Sequence, residues 1–149
     1  MATSIPRFLR TRRRLSQAVQ LINLMRMFPE SSGSLEKGVI RWSYDGFRAS
    51  SCSGVYRIEI EGKREGKTII WLSGGSIDRQ SAKEAPHKFG IDENGPRIQL
   101  CLDRFNWQPD QLYSQTYIPW AMEWIIHFEI CRLTGKWTGG GIHPSVDEA

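Results

Sequence analysis

Cysteine and histidine are scarce in this chain, with three of each among 149 residues. No Cys-x-x-Cys or His-x-x-x-His spacing occurs, so the ligand pattern of a structural zinc site is missing and neither a metal nor another cofactor is expected. Cys52, Cys101 and Cys131 are odd in number and scattered, which argues against a disulfide framework and for a reducing, cytoplasmic setting. A run of 18 apolar residues is missing too, as is an apolar signal-peptide core, so no membrane span is expected. Acidic residues are absent from positions 1–28, which carry Arg7, Arg10, Arg12, Arg13, Arg14 and Arg26 and hence +6; the remaining 14 basic and 16 acidic residues leave −2. A basic arm on a near-neutral domain points to docking on an acidic surface; the plainer reading is a solvated helix face. The arm lacks the interleaved aromatics of a single-strand platform, which counts against nucleic acid as the partner.

What remains suits one domain over residues 1–149, long enough to bury roughly 68–70% of its unfolded surface. Positions 7–27 read as an amphipathic helix with Leu15, Ala18, Ile22 and Met25 on one stripe, closed by Pro29 and the Ser/Gly run 31–34. Val39 to Tyr44 reads as a strand, with Asp45-Gly46 as a tight hairpin turn and Phe47 to Ala49 beginning the return. In Ser53 to Glu61 the apolar parity is Tyr56, Ile58 and Ile60. A charged loop over 61–66 leads to a strand at Thr68 to Leu72, and 73–86 reads as a polar connection. The last helix begins near Thr116 as N-cap, takes Pro119 in its first turn, carries Trp120, Trp124, Phe128 and Cys131 as its stripe, and ends at Gly135. The order is α+β: a helix, a meander of about four strands, an irregular cysteine-bearing segment, and a helix.

Cys101 stands out chemically. A polar turn, Asp92 to Pro96, runs through Ile98 to Leu100 into the cysteine, then Leu102, Asp103 and Trp107. A thiol placed just after such a strand-like approach is held in position yet open to a partner, as an acyl-accepting nucleophile requires. His87, fourteen residues upstream, is the first candidate assistant, as base or oxyanion donor, against a purely structural role. Asp103, Asn94 and His143 are weaker candidates; Asn94-Gly95 is also explained by turn geometry. Cys52, in a serine-rich turn, and Cys131, on the helix stripe, are not candidates for the nucleophile. Glycines 139–141 read as structural, with no phosphate-loop lysine after them.

Asn94-Gly95, Leu100-Cys101-Leu102-Asp103 and Trp107 resemble the active-site stretch of ubiquitin-conjugating enzymes. The His-Pro-Asn tripeptide of the eukaryotic branch is absent; His87 is followed by Lys88 and Phe89. Ile118-Pro-Trp-Ala-Met-Glu-Trp124 and Thr134-Gly-Lys-Trp-Thr-Gly-Gly-Gly-Ile-His-Pro144 resemble instead the bacterial conjugating-enzyme-like proteins of cyclic-oligonucleotide-based anti-phage signalling (CBASS) operons. The resemblance implies a ubiquitin-conjugating-enzyme-like fold and a Cys101 thioester with the C-terminus of a cGAS-like nucleotidyltransferase (CD-NTase), passed on to a target so that conjugation primes signalling. It also implies either a separate activating enzyme or a short system without one. Two alternatives stand beside it: a non-catalytic module of the same fold that binds the nucleotidyltransferase, and a conjugating enzyme of another bacterial ubiquitin-like pathway.

Overall fold

A computed structural model describes residues 14–63, 66–102 and 107–139. In chain order the elements are α1 (Gln17–Met27), β1 (Ser32–Glu36), β2 (Val39–Phe47), β3 (Tyr56–Gly62), β4 (Thr68–Gly74), α2 (Arg79–Glu84), β5 (Lys88–Asp92), β6 (Arg97–Leu100), a 3-10 turn (Tyr113–Gln115) and α3 (Tyr117–Thr134). The strands form one antiparallel sheet in the order β1-β2-β3-β4-β6-β5. The α+β plan is as expected, with the four-strand meander extended by the β5–β6 hairpin.

Period-two alternation places the core. Ile40 and Trp42, Tyr56, Ile58 and Ile60, Ile70 and Leu72, and Ile98 and Leu100 are buried and belong to one core with Leu24 of α1 and Tyr117, Ile118, Ala121, Trp124, Ile125 and Phe128 of α3. The intervening strand residues make the other face polar. There Arg97 pairs with Glu59 at 3.3 Å and lies 4.0 Å over the Trp71 ring.

Four expectations need correction. Asp45-Gly46 is no turn: β2 runs through it, and the β2–β3 register slips between Tyr44 and Phe47, so the extra residues form a bulge. Asp45 is held there by Arg57 at 2.6 Å. The tight turn is at Lys37-Gly38, where φ is +51° and +78°, and its first strand is the Ser/Gly run read as a helix stop. The polar connection 73–86 contains α2, whose N-cap Asp78 accepts from the Ser81 amide at 2.7 Å, while the Ser81 hydroxyl accepts from the Asp78 amide at 2.8 Å. Finally, the expected stripe of the first helix does not face inward. Ile22 is 53% and Met25 39% exposed, whereas Gln20 is buried beside Leu24.

The reason is the irregular chain 107–115 against which α1 packs. Its backbone must be satisfied once buried. The Gln20 amide donates to the Gln111 carbonyl and accepts from the Tyr113 amide, both at 2.8 Å. Gln17 donates to the Tyr113 hydroxyl at 2.9 Å. The part of the expected helix over 7–13 lies outside the described residues. In α3, Thr116 does not cap with its side chain but donates to the Leu112 carbonyl, and Trp120 and Cys131 are only partly buried. Gly135 ends the helix in the left-handed region, φ +77°, as expected.

Candidate functional site

The β5–β6 hairpin sets the site. His87 is the last residue before β5 and Cys101 the first beyond β6, so hairpin pairing brings them level. The Cys101 amide donates to the His87 carbonyl at 3.0 Å. The Trp124 indole of α3 donates to the same carbonyl at 3.1 Å, which ties the base of the hairpin to the C-terminal helix. His87 has φ +53°. A non-glycine residue in that region carries roughly 1–2 kcal/mol of local strain, held here by two hydrogen bonds on its carbonyl. The Cys101 side chain is partly exposed, while His87 is buried. Because the Cys101 amide is engaged by His87, it is not available to an oxyanion on the thiol's acyl group.

The chain returns to this place after α3. Trp137 lies with its ring 5.1 Å from that of His87 and 5.7 Å from those of Trp124 and His127. The His127 Nδ1 and the Thr138 hydroxyl are 2.8 Å apart. A Cβ on Gly139 would fall 2.7 Å from the Trp137 indole nitrogen and 3.0 Å from the His127 ring, so this close approach requires glycine. Gly139 is therefore structural; Gly140, Gly141 and His143 lie outside the described residues.

Lys88, the residue after His87, is half-buried, and its ammonium donates to the carbonyls of Lys83, at 2.9 Å, and Ala85. Desolvation lowers its pKa below the ordinary lysine value. It thus closes the C-terminal end of α2 next to the hairpin.

The structure brings Cys101 and His87 together and separates Asn94 from them. Asn94 is exposed in the turn at the far end of the hairpin, where its amide donates to Asp92 Oδ1 at 3.1 Å. Asp103 lies outside the described residues. Trp107 stacks on Tyr117, ring centroids 5.7 Å apart at 25°, and anchors the chain that leaves the site. Cys52 is exposed in its turn and Cys131 sits near the end of α3. Among the described residues no group of three His, Cys, Asp or Glu side chains can hold a metal ion, and no helix is long and apolar enough to cross a membrane. Reading by residue type missed Trp137 and the Trp124 indole as neighbours of His87. The signal for Trp137 was a tryptophan between two glycines just past a helix end.

A family model of the type II CBASS E2 proteins matches residues 20–144. The chain belongs to this family. The match runs from α1 past the end of α3 and so includes Cys101, His87 and Trp137. Membership gives the chain an E2-like role in CBASS. No curated protein matches this E2.

Proposed function

We propose that this E2 carries the C-terminal acyl group of the operon's CD-NTase as a thioester on Cys101 and passes it to a nucleophile on a target, acting in the cytoplasm. The observation that carries the reading is the hairpin base: a partly exposed Cys101, fixed by its amide to the carbonyl of the buried His87. A nucleophile needs that combination of fixed backbone and open side chain.

The donor carboxyl must arrive activated, as an acyl adenylate or as the thioester of a separate activating enzyme. The Cys101 thiol loses its proton, its sulfur attacks the acyl carbon, and AMP or the donor thiolate leaves. An amine then attacks the thioester, an amide forms, and the Cys101 thiolate departs. In this reading His87 takes the amine proton or donates to the oxyanion. No metal or cofactor enters either step.

Intact-mass analysis after co-expression with the neighbouring nucleotidyltransferase tests this. The expected product is the sum of the two masses less one water, cleaved by hydroxylamine and absent from Cys101→Ala. The missing His-Pro-Asn favours a second reading, a binding module of the same fold. It would give a complex of equal strength in both proteins with no covalent mass.

A further inference from the structure

A second feature lies apart from the thiol. The N-terminal end of α1, the β1–β2 turn and residues 62–63 and 66–68 at the facing ends of β3 and β4 enclose a cleft of about 490 Å³. Arg14, Lys37, Lys63 and Lys67 line it, and among the described residues none that lines it is acidic. Lys63 is paired with Glu61 at 2.6 Å. Arg14, Lys37 and Lys67 make no ion pair among the described residues. The floor is already satisfied: the Tyr113 hydroxyl takes the Gln17 amide at 2.9 Å and lies 3.3 Å from the Thr68 hydroxyl. The cations are what the cleft offers to a ligand.

Its place in the fold relates it to Cys101. β4 begins at Thr68, in the cleft wall, and its antiparallel neighbour β6 ends at Leu100. Cleft and thiol therefore open at the same end of the sheet. Trp107, six residues past Cys101, lines the cleft as well.

We propose that this cleft is the landing site for an acidic polypeptide segment of the donor protein, upstream of the carboxyl terminus handed to Cys101. What the segment delivers rests on the thioester reading; that it binds does not. Two observations favour a peptide over a nucleotide. The Trp107 ring is stacked on Tyr117 and packed 5.8 Å from Tyr113, so it is engaged within the protein rather than presented as a base platform. Three of the four cations are lysines, flexible point charges divided between the β1–β2 turn and the stretch between β3 and β4, which suit spaced carboxylates better than the forked recognition of a phosphate.

The test is fluorescence anisotropy on the full chain with a labelled peptide of alternating glutamate and glycine. An otherwise identical glutamine peptide and a short single-stranded DNA serve as comparisons. The glutamate peptide binds, its affinity falls with salt, and Lys37→Asn with Lys67→Glu weakens it about tenfold with an unchanged melting temperature. Asparagine is chosen at 37 because it tolerates the left-handed backbone. Arg48→Glu, outside the cleft, and Cys101→Ala leave affinity within about twofold. Equal binding of the glutamine peptide, or an undiminished affinity in the double variant, overturns the proposal. Tighter DNA binding lost in the same variant makes the cleft a nucleic-acid site and overturns it too. A missing covalent adduct sinks the thioester reading alone and leaves the peptide result standing.

Discussion

At the scale of single residues, burial and chemistry disagree with hydropathy in two places that can be measured. Gln20 is a polar side chain at the centre of the α1 interface, and its worth lies in two backbone groups it satisfies. Gln20→Leu is more apolar yet leaves the Gln111 carbonyl and Tyr113 amide unpaired. A loss of about 2–4 kcal/mol is expected, read as a fall of roughly 5–15 °C in Tm; a gain in Tm would contradict the account. Tyr56 is the second. Its hydroxyl is buried, donates to Glu129 at 3.1 Å, and holds its proton to higher pH than the ordinary value of 10.0, chiefly through desolvation. The unfolded chain therefore loses this proton first, and the stability tied to it is full below pH 10 and is lost as pH rises beyond. The urea midpoint should fall less between pH 9 and pH 11 in Tyr56→Phe than in wild type; equal losses would remove Tyr56 from the alkaline limb. At the site itself, His87→Asn keeps a residue that accepts φ +53° while removing the imidazole. Acyl transfer from Cys101 should slow by roughly a hundredfold with little change in Tm, and a rate within twofold of wild type would return His87 to packing alone.

At the scale of elements, regular patterns were readable and irregular ones were not. The parity of Tyr56, Ile58 and Ile60 identified β3 because one sheet face is buried, and the α3 boundaries followed from Pro119 and Gly135. The first helix was readable as a helix but not in its facing. Its inner surface meets the irregular chain 107–115, and only the fold reveals that this chain needs hydrogen-bond partners. Asp45-Gly46 misled because an aspartate-glycine pair serves a bulge as well as a turn, and the true turn at Lys37-Gly38 has only its glycine as a signal. The candidate nucleophile, Cys101, was chosen from its local segment alone. The Trp137 contact with His87 was not, since it joins positions fifty residues apart. The left-handed cap of α3 gives a test at this scale: Gly135→Ala should lower stability by about 1–2 kcal/mol, measured by urea unfolding. An unchanged midpoint would mean that α3 ends otherwise.

At the scale of the whole molecule, charge is divided. The first 28 residues hold six arginines and no acid, and the described part of that region begins with Arg14, which lines the cationic cleft. Replacing Arg12, Arg13 and Arg14 by glutamate should weaken association with the nucleotidyltransferase and flatten its salt dependence; unchanged binding would make them a solvated surface. The family match covers most of the chain, so the E2-like role belongs to the domain as a whole, while the chemistry is claimed for one atom, the Cys101 sulfur. That claim is tested most directly by replacing the sulfur with oxygen. Cys101→Ser, co-expressed with the nucleotidyltransferase and digested for tandem mass spectrometry, should yield an ester at position 101 that withstands neutral hydroxylamine but not alkali, where wild type yields a hydroxylamine-labile thioester. An acyl group mapped to any other residue, or one that persists in Cys101→Ala, would contradict the account.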